Sequence, residues 1–530
     1  MKRYIDTARK GYSRLANFLS YKRVAVILTL LFVLSMIPVI YVGLFDYANG
    51  DDLLYGAPLR RVLVNNGSIV EFVRTLFIDV IDEYNSFQGT WSAGILFRLE
   101  PSIWFEKAYI LTPFIAYFCL LFCPGYFLHE VIIRILNLRK EVFWTVFPAF
   151  SLFLIQYMQR FNSGLYWYTG MVLYTVSFGM TMLSFSFALQ FLRTSKISYF
   201  VSCLLTMFYL GGGGYPEVVL AVMGYLVIFI AIICGKFGLE KKNYLLFIPF
   251  IIELIGFAFS AAAPGNSVRG GSAFGFSIQN VLLTIIESIF LGAKNDLLYL
   301  IHFRPLFLYF ILLFILIYET IDVNNKLILF NHPIIVSVLM ILTSCSVHAP
   351  EIYAGKNVVA GFSGGVYNSY YFTFLLCYSL LVIYDIGWLK KKYSNKLART
   401  WLFNTDKMAE RLRIPFLIFA ILFCICFGKH LVGNSLDYIC INYISSGELA
   451  DFDFQMKERL AILSDDNNLD VIVPMMNYEQ GPLMHMALTV DPNCYTNWAT
   501  ARFYGKNSIV AIERPKYYEK YGHPIVEKRF

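Results

Sequence analysis

Asp51 and Asp52 are adjacent carboxylates placed directly after the first apolar run of the chain, and they lead the residues that could do chemistry. The run 24–44 carries no charge and, as a helix of about 31 Å, can cross the hydrocarbon core of a bilayer. The chain continues Phe45-Asp46-Tyr47-Ala48-Asn49-Gly50-Asp51-Asp52-Leu53-Leu54-Tyr55-Gly56, which puts acids and a Tyr/Gly turn at the water interface. Paired acids at that depth can act as a general base with its helper, hold a divalent cation, or only cap a helix in water.

Other unusual segments recur between apolar runs. They are Tyr166-Trp167-Tyr168-Thr169-Gly170, the glycines Gly211–Gly214 ending in Pro216 and Glu217, Pro264-Gly265-Asn266 with Arg269, and His348 with Glu351. Aromatics, amides and carboxylates together suit sugars, which offer C–H faces for stacking and hydroxyls for hydrogen bonding. Each segment also has a plainer explanation. The glycine run can be a helix break with Glu217 in the next first turn, Trp167 can belong to an interfacial aromatic belt, and Arg269 can snorkel to headgroups.

The elements that position these residues follow from composition. Of 530 residues, 58% are hydrophobic, 18% aromatic and 15% charged, against about 25% charged in a soluble domain. The fold class expected is an all-α polytopic membrane protein. About eleven spans are predicted near 24–44, 108–128, 142–158, 171–192, 198–213, 217–235, 243–262, 305–319, 332–347, 367–386 and 413–431. The first span reads as an anchor, with no small-residue cleavage motif after it. The net charge of +8 is no nucleic-acid signal, because Lys and Arg cluster between spans. Basic connectors, including the N-terminal tail, Arg134 to Lys140, Arg193 with Lys196, Lys236 to Lys242 and the 390–413 tract, mark the cytoplasmic side. The opposite side receives the 45–107 loop, the 263–304 stretch and a C-terminal segment 432–530. Every unusual segment falls on that outer face. In the 45–107 loop, 69–81 is amphipathic and is expected to lie along the membrane surface.

The tail predicts a helix over 445–463 and a buried strand at 470–474, together a small α/β extension of the transmembrane domain 1–431. Cys440 and Cys494 both lie outside and could pair, though their spacing does not require it; the other cysteines fall mostly in apolar runs as small hydrophobes.

Asp51-Asp52-x-x-Tyr55-Gly56 resembles the acidic motif in the first outer loop of C-type (GT-C) glycosyltransferases. Gln88-Gly89-Thr90-Trp91-Ser92-Ala93, Leu99-Glu100-Pro101 and Glu106 are similar to a family of bacterial polytopic proteins in that superfamily, known mainly as a domain of unknown function. Trp167-x-x-Gly170-x-x-x-Tyr174, the glycine turn to Glu217, Pro264-Gly265-Asn266-x-x-Arg269 and 491–504 resemble it as well. One departure is the fifth outer loop, where a basic residue is expected and Gly364-Gly365-Val366-Tyr367 has none.

The resemblance implies transfer of a sugar from a polyprenyl-phosphate donor to a hydroxyl of a glycan or glycopolymer acceptor, outside a bacterial cytoplasmic membrane. The N-terminus is then cytoplasmic and the C-terminus extracytoplasmic. Asp51 would be the base and Asp52 its helper or part of a cation site; a divalent cation at the pair is possible, and no other cofactor is expected. Arg269 would hold the lipid phosphate, while Trp91 and Trp167 stack on sugar or acceptor. Tyr55, Gln88, Glu217, Asn266, His348 and Glu351 complete the expected binding set. Three rivals remain: a transporter or flippase of lipid-linked glycans, a polymerase using diphosphate-linked chains, and a structural scaffold. An ion conduit would place charges within the spans, and the spans read as nearly free of them.

Overall fold

The computed structural model describes residues 20–234, 241–270, 277–325, 330–354, 364–397, 408–465, 467–477 and 481–523. The basic N-terminal tail, Lys236 and 398–407 of the basic 390–413 tract lie outside them. The first helix, α1 (Tyr21–Gly43), is apolar on all sides: Phe32, Met36 and Val39 face the core while Leu30, Leu34 and Ile37 are exposed. An all-round apolar helix is the mark of a membrane span.

Beyond it run α2 (Asp51–Val64), α3 (Ile69–Ser86) and α4 (Trp91–Phe97), which fill the 45–107 loop. The amphipathic expectation for this loop is met by α3, which leaves Ile69, Val70, Val73, Phe77, Ile78 and Ile81 exposed. Ser68 caps it by accepting the Glu71 N–H.

The helical core continues with α5 (Glu106–Ile135), α6 (Lys140–Gln156), α7 (Tyr168–Thr194), α8 (Ile197–Leu210), α9 (Tyr215–Ile233) and α10 (Lys241–Ala261). After a two-turn helix, α11 (Pro264–Gly270), come α12 (Ile278–His302), α13 (Pro305–Thr320), α14 (Pro333–Ser346), α15 (Ala349–Tyr353), α16 (Val366–Leu397) and α17 (Met408–Gly433). The protein is therefore a helical, multi-pass membrane protein.

Two sequence expectations change. Six helices among the described residues are long and apolar enough to cross a membrane, seven if α12 and α13, bent by 93°, form one span. The other expected spans are helices, but their apolar stretches are 17 residues or shorter. The 263–304 stretch, expected as an outer connector, holds the 25-residue α12. Glu287, Lys294 and Asp296 interrupt its hydropathy, yet Leu282, Ile286 and Phe290 form an exposed apolar stripe. The bend falls where Pro305 starts α13, since proline cannot donate to a continuing helix.

The C-terminal segment forms α18 (Leu436–Ser445), α19 (Glu448–Leu463), β1 (Asp470–Pro474), α20 (Tyr495–Tyr504), β2 (Ser508–Ile512) and α21 (Arg514–Tyr521). The two strands pair in parallel, Asp470 opposite Ser508 and Pro474 opposite Ile512, so the crossover carries α20. Val471, Val473, Ile509 and Ala511 make the core of this cap with Leu463 and Leu488. The cap is docked on the membrane part: Phe503 joins Leu53, Ala57, Leu76 and Ile103 in one apolar cluster, and Arg60 lies 4.6 Å over the Phe503 ring. Cys440 and Cys494 are both free thiols, Cys440 buried on α18 and Cys494 at the start of α20, so the pairing raised from sequence is not formed.

Charge bias sets an orientation that labelling can check. Cysteines placed at Asn65 and Ser267 are expected to react with an impermeant thiol reagent added to intact cells, and one at Ser394 is not. Labelling of position 394 from outside would reverse the assignment.

Candidate functional site

The pair that opens α2 is split by helix geometry, because neighbouring side chains point about 100° apart. Gly50 starts the helix at φ 53°, in the left-handed region, and a Cβ there would lie 2.0 Å from Met486 Sδ. Only glycine permits both the turn and that approach of the cap. Asp52 points inward and is fully buried. Its Oδ1 accepts from the Thr169 N–H at 2.9 Å and the Thr169 hydroxyl at 2.6 Å, and its Oδ2 accepts from the Tyr109 hydroxyl. Burial pushes Asp52 up to about 7, against the pull of these donors. Thr169 is aimed by an irregular backbone, with π-helical turns at Asn162–Tyr166 and Met171–Val176 on either side.

Asp51 points the other way and is half-buried. The Tyr495 hydroxyl, delivered by α20 of the cap, donates to Oδ1; Oδ2 accepts no hydrogen bond among the described residues. Burial raises its proton affinity above the usual carboxylate range, while Tyr495 and the Arg269 charge act in the opposite sense. Two further acids lie behind the pair. Asp46 is buried with Oδ2 unpartnered. Glu100 accepts the Ser102 N–H and hydroxyl, both at 2.7 Å, and burial pushes it up to about 8.

A relay of polar contacts leads from the core to the exposed cation. Arg98 is buried between Asp79 at 2.6 Å and Glu83 at 2.7 Å. Gln88 donates to Glu83 at 2.7 Å and accepts from Arg269 Nη1 at 2.6 Å. The Arg269 guanidinium lies 4.8 Å over the Phe87 ring and is otherwise exposed. Tyr55, half-buried, lies within electrostatic reach of Glu83 and Asp51, with its ring 5.1 Å from Phe97 and the Arg98 guanidinium 5.4 Å over it. Asp51, Tyr55, Gln88 and Arg269 are thus brought to one place.

Asn266 has a different role from the substrate contact expected. Its Oδ1 accepts the Gly89 N–H at 3.1 Å and its Nδ2 donates to Ser260 O at 2.8 Å, so it ties the 87–90 turn to the end of α10. A Cβ on Gly89 would sit 1.9 Å from Ser260 O, which explains the glycine. Trp91 also departs from expectation. It donates to Gly256 O at 3.3 Å, lies against the Gly212 backbone and meets Phe208 edge-on at 4.9 Å, a wedge between helices and not an open sugar platform. Trp167 keeps its candidacy: it is half-buried, and its indole N–H has no hydrogen bond among the described residues.

A second group lies around Tyr174, within electrostatic reach of Glu351, Glu217 and Arg269. Glu217 is buried in the first turn of α9, accepts from the Ser369 hydroxyl through Oε1 and leaves Oε2 unpartnered. Glu351 is half-buried on α15. His348 is structural. Its Nδ1 must donate to Cys345 O at 3.1 Å, which leaves Nε2 to accept from Asn295 at 3.0 Å, and its ring stacks on Tyr370 at 3.8 Å. Burial lowers it to about 4, so it stays neutral and locks α15 to α12 and α16.

Arg160, Tyr495 and Tyr109 are the residues that sequence reasoning passed over. Arg160 is exposed, its backbone N–H and C=O pair with the Asn368 amide at 2.8 Å each, and its guanidinium lies 6.0 Å over Tyr367. Arg160 thus brings a cation from the 159–170 loop to the start of α16, beside Gly364-Gly365-Val366-Tyr367.

A divalent cation needs six or more oxygens; at the pair the Asp52 oxygens already accept from Thr169 and Tyr109, while Asp51 Oδ2 stays open among the described residues. No group of three His, Cys, Asp or Glu suited to a metal occurs among the described residues. No family model matches the chain, and no curated protein matches it.

Proposed function

We propose that this protein is a GT-C-type glycosyltransferase that moves a sugar from a polyprenyl-phosphate donor to a hydroxyl of a cell-surface glycan or glycopolymer, at the outer face of a bacterial cytoplasmic membrane. One observation carries the reading: of two adjacent carboxylates, Asp52 is saturated by donors and Asp51 keeps an open oxygen near an exposed arginine. A base with a cation in electrostatic reach is what such a transfer needs. The acceptor O–H gives its proton to Asp51 as its oxygen attacks the anomeric carbon. The bond from that carbon to the phosphate oxygen breaks, and the electron pair leaves on the lipid phosphate. Arg269, with Arg160 near the fifth loop, balances that charge. A carboxylate of raised proton affinity is the stronger base. One displacement inverts the anomeric centre.

Transport of a lipid-linked glycan is the second reading, and specific features favour it. Contrary to the sequence expectation, the apolar helices carry buried acids: among the described residues Glu253 on α10 has neither oxygen hydrogen-bonded, and Asp296 on α12 is bonded to Ser344 at 3.0 Å with Oδ2 unpartnered. Intramembrane acids and broken helices are common in transporters, and the 93° bend supplies a break. The variants Glu253→Gln and Asp296→Asn separate the two. Transfer predicts donor turnover within about threefold of wild type, because neither acid touches the Asp51 region. Loss of lipid-linked glycan movement across proteoliposomes in both variants, with no donor turnover in wild type, would favour transport.

A further inference from the structure

We infer that the cap carries the acceptor subsite, an open cavity of about 910 Å³ at the carboxyl ends of β1 and β2 that binds a segment of neutral, hydroxyl-rich glycan. This rests on the transferase reading for its role, though not for the binding itself. The volume falls in the usual range of ligand pockets, roughly 300–1,000 Å³. Its place follows a general rule, since ligands of parallel sheets sit in the crevice outside the strands' carboxyl ends. Met475 to Asn477 leave β1 into the cavity wall, and Glu513 and Arg514 leave β2 into it.

The lining selects the ligand class. Arg514 is paired with the buried Glu458 and the exposed Lys516 lies 2.7 Å from Glu513, so the wall sets the three carboxylates Glu448, Asp451 and Glu513 against two bases. The wall still offers both hydrogen-bonding senses. The exposed Asn477 amide and the Lys516 ammonium supply donors. Asp451 accepts from Gln455 at 2.5 Å and Asn477 at 2.6 Å through one oxygen, leaving the other. Met475, Met476, Val490 and Ile512 add an apolar strip. Sugar hydroxyls donate and accept at once, and a pyranose C–H face packs on such a strip, whereas a phosphate or sulfate would meet Glu448 and Asp451 unbalanced.

The same segment that lines the cavity ends on the proposed base. The Met484 carbonyl accepts from Asn49 at 3.0 Å and Met486 lies against Gly50; Val490 of the cavity wall follows, and then Tyr495, which donates to Asp51. Val490 thus joins the cavity wall to the stretch 484–495 that packs on the Asp51 site.

The test uses full-length protein in detergent, probed with an array of neutral, uronic-acid-containing and phosphorylated oligosaccharides. Wild type is expected to retain neutral glycans. Val490→Arg, at an exposed wall position, and Asn477→Ala are each expected to weaken retention about tenfold or more. In the transfer assay both should raise the KM for acceptor by a similar factor and leave the KM for donor unchanged. Neutral glycan retention untouched by both variants, or retention of acidic glycans alone, would overturn the inference. Absence of donor turnover in wild type, with retention still lost in the variants, would sink the transferase reading and leave the glycan site standing.

Discussion

Asp51→Asn is expected to lower donor turnover by about 10²–10⁴-fold while the protein remains folded. The amide keeps the size of the side chain and its bond to Tyr495, but it cannot take the acceptor proton. Asp52→Asn should act otherwise. Asp52 accepts from Thr169 and Tyr109 in a fully buried setting, so an amide there would set a donor against a donor and reduce folded protein first. Turnover per folded molecule, read after size-exclusion chromatography, separates the two effects. Asp51→Asn turning over at the wild-type rate would move the base to another acid, with Glu217 or Glu351 next in line.

Arg269→Ala is expected to cost about 10²–10³-fold in turnover, and Arg269→Lys about tenfold or more. The arginine is exposed, held by Gln88 and Phe87 from one side, and presents the rest of its fork outward. Two parallel hydrogen bonds to a phosphate need that planar fork, which lysine lacks. A residue that only reaches lipid headgroups predicts no difference, because lysine snorkels equally well. Comparing both variants at matched protein levels decides this, and lysine equal to wild type would leave the phosphate to Arg160.

Much of the scaffold was legible in the sequence because hydropathy reports directly on burial in lipid and on amphipathic faces. That holds for α1, for α3 on the surface and for the β1 strand of the cap. It failed for α12, where scattered Glu287, Lys294 and Asp296 masked a helix whose apolar stripe only periodicity would reveal. The contacts of the candidate site residues were not legible in the sequence. Asp51, Tyr55, Gln88 and Arg269 do meet, yet Asn266, Trp91 and His348 are spent on holding elements together. An amide, an indole and an imidazole look alike in sequence whether they face a ligand or a backbone carbonyl. Tyr495 was out of reach for another reason: it lies 444 residues from Asp51 in the chain, and only the docking of the cap brings them together.

The most direct measurement is release of free polyprenyl phosphate by the purified protein, incubated with a panel of polyprenyl-phosphate sugars and a crude envelope glycan as acceptor. Wild type is predicted to release lipid phosphate from at least one donor, with one glycosidic linkage formed per lipid released, and Asp51→Asn to release almost none. No release from any donor by wild type, under conditions where the same preparation moves lipid-linked glycans across proteoliposomes, would contradict it.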